Sequence, residues 1–262
     1  MRGLLRVATG LTLAFLYTPL IVILVYAFNE RRTATWPPPG FTLDWWSRAF
    51  HNHGVRSALW TSIQAGLGAT AIALLLGTLA AFAVARYRFF GRESVSFLVV
   101  LPIALPGIVT GMALNSTFTQ VLGVDLTLFT IIVGHATFCI VVVYNNAIAR
   151  LRRSSTSLEE ASMDLGASGW QTFRHITLPN LTSALVAGGL LAFALSFDEV
   201  VVTLFTAGPQ ETLPLWIYNQ FRLPNTAPEV NAVAVFVIAL TAIPVLLAQR
   251  LMRDEGGAQG GV

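Results

Sequence analysis

The stretch Glu160-Ala161-Ser162-Met163-Asp164-Leu165-Gly166-Ala167-Ser168-Gly169-Trp170-Gln171-Thr172-Phe173-Arg174-His175-Ile176-Thr177-Leu178-Pro179 lies between two long apolar runs, near residues 126–149 and 180–206. It is polar and carries both signs of charge, so it reads as a connecting segment with structure of its own. Ser157 followed by Glu160 has the form of a capping box, and Thr156 with Glu159 is an overlapping alternative. A short helix is expected from there to about Leu165. Gly166 ends it, because glycine tolerates the left-handed conformation of many helix stops. Ala167-Ser168-Gly169 makes a tight corner, and a second short helix is expected from Trp170 to about Thr177. Pro179 then opens the next apolar run, where a missing N–H does no harm. Two short helices in an L can seat in a groove on a partner.

Working outward, apolar runs of bilayer-spanning length, about 20 residues each, occur near 8–28, 57–85, 95–121, 126–149, 180–206 and 230–250. The chain is 55% hydrophobic and 11% charged with mean hydropathy +0.67, against roughly 25% charge in soluble domains. The fold class expected is all-α and polytopic: six transmembrane helices forming one membrane domain over 1–262, with a core at about 57–250 and the loop at about 152–179. The first run has a basic start, but it is too long for a signal peptide and no small-x-small cleavage site precedes Asn29, so a retained helix is expected. Between it and the second run, Trp36-Pro37-Pro38-Pro39-Gly40 cannot form a helix, and the Trp45-Trp46 pair suits a membrane interface.

Arginine sets the orientation. With the N-terminus inside, eleven arginines fall in inner segments and five in outer ones, four of those five in the long first loop. The positive-inside rule therefore puts both termini and the 150–179 segment in the cytoplasm. The pI of about 9.5 does not indicate nucleic acid, because the basic residues flank the spans and form no patch with interleaved aromatics. All 16 basic residues are Arg. A P-loop needs Lys to reach the β/γ-phosphates, so ATP-driven work would require a partner to hold the nucleotide.

Within the apolar runs, Gly66, Gly68 and Gly77 allow close helix packing, and Pro102 and Pro106 should kink the third span. Asn115, Gln120, Asn145 and Asn146 read as inter-helix hydrogen-bonding groups, Cys139 as packing, His135 as a satisfied core histidine, and His51 and His53 as solvated rather than metal ligands. A single cysteine excludes an intrachain disulfide. Ser196-Phe197-Asp198-Glu199 is the sharpest chemical feature. Two carboxylates in an apolar helix are costly and by default functional. At 1.5 Å per residue Asp198 would stand roughly 27 Å along the fifth span, with its neighbour about 100° around the helix. The pair suits a pathway for a cation; the bland alternatives are an ion pair with an outer-loop arginine, or wet carboxylates near the interface.

Glu160, Ala161, Ser162, Gly166, Ile176, Leu178 and Pro179 resemble the EAA loop of ABC-importer permeases, with Ser162 in place of the second Ala. Further stretches resemble PotC-type permeases of polyamine importers: Leu16-Tyr17-Thr18-Pro19-Leu20-Ile21, Arg86-Tyr87-Arg88-Phe89, Thr137-Phe138-Cys139, Asp164-Leu165-Gly166-Ala167-Ser168, Asp198-Glu199-Val200-Val201-Val202, Leu213-Pro214-Leu215-Trp216-Ile217-Tyr218 and Pro228-Glu229-Val230-Asn231-Ala232. They cover nearly the whole chain. The resemblance implies a type I importer permease in a bacterial inner membrane, with no catalytic residue, metal or cofactor of its own. It implies a PotB-like second permease subunit, a dimer of ATP-binding cassette ATPase subunits that holds ATP and Mg, and an extracytoplasmic substrate-binding protein. The loop would couple to the ATPase, and Ser196, Asp198, Glu199, Trp45 and Trp46 would line the substrate pathway. One departure stands out. Polyamine permeases commonly carry an acid directly after the second proline of the third span, where this chain has Gly107. Related permeases carry amino-acid derivatives, opines, ferric iron or thiamine, so spermidine or putrescine is the first expectation and these are the alternative. An ion-coupled carrier would leave the loop without a task, and an intramembrane enzyme would need a nucleophile–base pair or metal set that His135 and Cys139 do not make.

Overall fold

The structure, a computed structural model, describes residues 2–33 and 35–257. Met1 and residues 258–262, the chain ends expected in the cytoplasm, lie outside the described residues. In chain order the helices are α1 (Arg2–Tyr26), α2 (Asp44–His51), α3 (His53–Arg86), α4 (Arg92–Ala104), α5 (Gly107–Ser116, followed by a π-helical turn Thr117–Val121), α6 (Leu128–Arg153), α7 (Ser157–Asp164), α8 (Gly169–Thr172, followed by a π-helical turn Phe173–Thr177), α9 (Leu178–Phe197), α10 (Val201–Thr206), α11 (Leu213–Phe221) and α12 (Ala227–Gly257). Among the described residues, five helical stretches are long and apolar enough to cross a membrane: Gly3–Tyr26, His53–Arg86, Leu128–Arg153, Gly169–Phe197 and Ala227–Leu247. The α4–α5 pair, bent by 103°, makes a sixth if the two arms are counted as one broken span.

That bend has a local cause. A proline forces the residue before it out of the helical region, and Leu105, ahead of Pro106, is extended at φ −82°, ψ 143°. Pro102 sits inside α4 without ending it. The expected kink is therefore a break, at Pro106.

Two compact units divide the chain. One runs to Trp60 and takes in Thr212–Leu240; the other takes in Thr61–Glu211 and the chain from Thr241 on. In the first, Ala27, Trp45 and Ala232 form a buried cluster with Phe28, Trp46 and Val235 packed against it. The Trp45 indole N–H donates to the Asn29 carbonyl at 2.7 Å, and Asn52 Nδ2 donates to Glu229 at 2.8 Å. By contrast, α1 has no buried side chain from Gly3 to Val22, with Phe15 81% exposed.

In the second unit α6 is the axis. Its buried face, including Ile131, His135, Cys139, Val143 and Leu151, packs α3 and α9 through two clusters, one around Ala73, Cys139 and Ala192, the other around Val84, Tyr144 and Leu181. A Cβ at Gly66 would lie 2.8 Å from the Phe193 ring, and one at Gly77 would lie 3.0 Å from the Ile140 carbonyl. These are the close approaches the small residues led one to expect. Asn115 bridges helices as expected, donating to the Phe205 carbonyl at 2.6 Å. Asn146 instead bonds within its own helix, to the Val142 carbonyl.

Candidate functional site

The loop after α6 folds largely as its sequence dictates, with two corrections. α7 spans Ser157–Asp164 and ends where Gly166 takes φ +88°. Neither overlapping capping box forms. Thr156 is the N-cap without a side-chain bond, and Glu160 is exposed. The box sits one turn of the L later: Ser168 Oγ accepts from the Gln171 N–H, and Gln171 Oε1 accepts from the Ser168 N–H.

The second correction concerns the expected separate helix 170–177. Gly169–Phe197 is one continuous helix. Pro179 has no N–H to offer the carbonyl four residues back. The ladder slips by one residue into a π-helical turn over Phe173–Thr177, and the Leu178 N–H bonds to the Phe173 carbonyl. The π-helix occurs mostly as such single-turn bulges inside an α-helix.

The corner is knitted by side chains. Ser162, the departure from the EAA pattern, shares a 2.7 Å hydrogen bond with buried Thr172 and donates to the Glu159 carbonyl. Ala161 and Pro179 are exposed, while Ile176 and Leu178 are half-buried. Leu158, Met163, Leu165 and Trp170 stand out from the loop, Leu165 at 90% exposure and Trp170 at 67%.

The residues that sequence reasoning missed are Arg86 and Glu159. Arg86 Nε and Nη2 donate to the two Glu159 carboxylate oxygens at 2.8 and 2.9 Å, and Nη1 reaches the Leu151 carbonyl. Thr177 Oγ1 donates to the same carboxylate at 3.1 Å. Glu159 thus ties α7 to the end of α3 and to the π-turn before α9. Beside the pair lies a cavity of about 280 Å³ whose lining includes Phe82, Tyr87, Glu160 and Met163. The signal present in the sequence was an arginine ending the second apolar run and an acid next to Glu160; what joins them is a separation of 73 residues.

At the other acidic feature the expectation of a continuous helix is overturned. α9 stops at Phe197, Asp198 is its C-cap, and α10 starts at Val201. Asp198 and Glu199 lie in the break, so the 100° relation does not apply. The break separates their roles. Glu199 is half-buried, and its Oε1 accepts from the Val202 N–H at 2.9 Å, satisfying an otherwise unpaired donor at the start of α10. Asp198 is exposed, and no ion pair holds either carboxylate among the described residues. Around them, His135 is fully buried and bonds Ser196 Oγ at 2.7 Å and Thr203 Oγ1 at 2.8 Å. Gly107 opens α5, where a Cβ would stand 3.5 Å from Val201. The missing acid therefore maps beside this same break.

Trp45 and Trp46 belong to the first unit. Trp45 is buried with Arg48 stacked 4.9 Å from its ring centroid; Trp46 packs against Phe28, and its buried indole N–H has no partner. No group of three metal-ligating side chains occurs among the described residues.

Comparison with known proteins adds an independent line. The family profile "Binding-protein-dependent transport system inner membrane component" matches residues 73–254. The chain is 36% identical over 250 residues to the spermidine/putrescine transport system permease protein PotC of Shigella flexneri, covering 95% of this chain and 93% of that protein. It is 34% identical over 246 residues to the putrescine transport system permease protein PotI of Escherichia coli K12, covering 91% and 86%. A solved bacterial alginate ABC transporter, in complex with an alginate pentasaccharide-bound periplasmic protein, superposes with a TM-score of 0.72 at 17% identity, covering 97% of this chain and 93% of that one. That likeness supports the fold.

Proposed function

The chain belongs to the family of binding-protein-dependent transport system inner membrane components, the permease subunits of ABC importers, and on that premise we propose that it carries spermidine, putrescine or a closely similar cationic amine into the cell. The observation that carries the substrate reading is Asp198: an exposed, unpaired carboxylate at a break in an otherwise apolar helix. A charge at membrane depth costs about 3 kcal/mol even on the gentlest scale. An aqueous path and a cationic cargo both remove that cost. Resemblance to spermidine and putrescine permeases over nearly the full chain supports the same reading. Ser196, Glu199, Trp45 and Trp46 are assigned to the pathway or its support on the resemblance.

The loop around Glu160, Ala161, Ser162, Gly166, Ile176, Leu178 and Pro179 is the proposed seat of the ATPase. Its exposed Leu165 and Trp170 supply the apolar contact, and the Glu159–Arg86 pair links it to the spans. The arrangement needs cytoplasmic termini, an ATPase dimer holding ATP and Mg, an extracytoplasmic binding protein and a second, PotB-like permease chain. The bare apolar surface of α1 needs lipid or protein to cover it, since a helix apolar all round is stable only when covered.

The test is uptake by the assembled importer in proteoliposomes with spermidine, putrescine, a neutral amino acid and an anionic solute. Saturable import of the amines alone is expected. Import of the neutral or anionic solute in their place would refute the cationic reading and leave the family assignment standing.

A further inference from the structure

Ser196, next to the last residue of α9, and Thr203, in the first turn of α10, stand on either side of the acidic break, and both hydroxyls meet one imidazole from α6. The directions of these bonds are fixed by valence. The Thr203 hydroxyl has one proton, and it goes to the Glu199 carbonyl at 2.8 Å. Toward His135 Nε2 it can only accept, so Nε2 carries the ring proton. In the neutral ring Nδ1 is then the acceptor, and the Ser196 hydroxyl donates to it. The relay runs from Ser196 through His135 and Thr203 to the Glu199 main chain, with every partner satisfied. All three side chains are at most 3% exposed. A helix break has no ladder of its own to hold its two ends at a fixed offset. Here one ring joins side chains from both helices, alongside the local bonds of Glu199 to the Val202 and Ser196 main chain.

We propose that His135 is the positioning residue of the acidic break, its imidazole bridging Ser196 and Thr203 and so fixing where Asp198 stands in the pathway; this rests on the reading of Asp198 as a pathway carboxylate. His135 touches no substrate in this account. It acts through Asp198.

The experiment uses the complete importer and radiolabelled spermidine. His135→Phe keeps a ring and removes both bonds; His135→Gln returns one donor and one acceptor. Uptake should fall about tenfold in the Phe variant and partly recover in the Gln variant, and Asp198→Asn should also lose about tenfold, while the double variant stays within about threefold of the worse single, because the two changes act at one carboxylate. Losses that multiply to about a hundredfold would overturn the proposal, since distant independent effects add in free energy. Should the Phe variant fail to copurify with the ATPase, Ser196→Ala and Thr203→Val each remove one of the ring's two bonds, Thr203→Val together with its bond to the Glu199 carbonyl, and take its place in the cycle. A readout independent of transport accompanies these. Val200→Cys in a Cys139→Ala chain reports the break by its rate of alkylation with a water-soluble maleimide. Releasing the bridge should change that rate severalfold, and Gln should restore it. An Asp198→Asn variant that transports normally refutes the pathway reading; an unchanged alkylation rate refutes the bridge.

Discussion

Arg86, the last residue of α3, and Glu159, in the first turn of α7, form a two-pronged ion pair at 2.8 and 2.9 Å. Their side chains are only 12% and 14% exposed. Screening discounts most surface pairs to a fraction of a kcal/mol, but breaking a largely buried one leaves a stranded charge and costs about 3 kcal/mol. The pair fastens the loop to a spanning helix, and Thr177 fastens it to the helix that continues to the acidic break.

Removing either partner should uncouple the importer. Arg86→Glu or Glu159→Arg is expected to cut uptake by roughly tenfold or more while the ATPase still binds. The charge-swapped double variant should recover part of the loss. Recovery will be incomplete, because a glutamate at position 86 cannot donate to the Leu151 carbonyl and an arginine at position 159 opposes the α7 dipole. A double variant as inactive as the singles would show that the pair is not the link.

Gly166 makes a sharper test of the loop. Its φ of +88° is hostile to β-branched side chains, yet nothing lies within 4 Å of where a Cβ would stand. Conformation, not space, is therefore what constrains the position. Gly166→Val should cost about 1–2 kcal/mol locally and abolish uptake, whereas Gly166→Asn, which tolerates the left-handed region, should retain much of it. Equal losses for Asn and Val would mean that contact with the partner, and not the turn, is what fails.

Because the sequence holds no lysine, the purified chain should neither bind nor hydrolyse ATP by a P-loop. Nucleotide binding and phosphate release by the isolated chain, assayed against the full complex, check this.

How much of this was legible follows from range. Hydrophobic runs gave the spans, because span length is set by the bilayer; Gly166 gave the helix stop, because left-handed backbone has few takers. The α4–α5 break was visible in Pro106. Four features were not legible, each for a physical reason. The π-turn before Pro179 depends on a helix continuing through a segment whose polarity suggested an independent piece. The break at Asp198 has no proline or glycine to announce it; carboxylates and β-branched valines supply it instead. The Arg86–Glu159 pair and the His135 bridge join residues more than sixty positions apart, which local patterns cannot register.

Gly107 offers a gain-of-function test. A side chain there would meet Val201 at an ordinary 3.5 Å, beside the acidic break. Gly107→Asp should insert without distortion and add a second pathway charge. Competition assays are expected to show a shift of preference toward spermidine over putrescine by several-fold, since one more Coulombic contact favours the more highly charged amine. An unchanged ratio would place Gly107 away from the cargo.

The two carboxylates of the break should behave differently when neutralised. Asp198 is exposed and holds no ion-pair partner among the described residues; on the proposed reading its charge is the one that meets a passing cation. Asp198→Asn preserves shape and removes that charge, and amine uptake should fall by about tenfold or more while basal ATPase stays level, a loss of about 1.4 kcal/mol or more. Glu199 has a different occupation: it caps α10 through the Val202 N–H. In the Glu199→Gln variant the side-chain amide oxygen still accepts that bond, so this change should be mild. Glu199→Leu removes the acceptor and should cost about 1 kcal/mol of local stability, seen as a lower melting temperature of the complex, with uptake following stability instead of substrate charge. Uptake at the wild-type rate in both Asp198→Asn and Glu199→Gln would refute the acidic pathway. A steeper loss in Glu199→Gln than in Asp198→Asn would reverse the assignment, making Glu199 the carboxylate that meets the cargo.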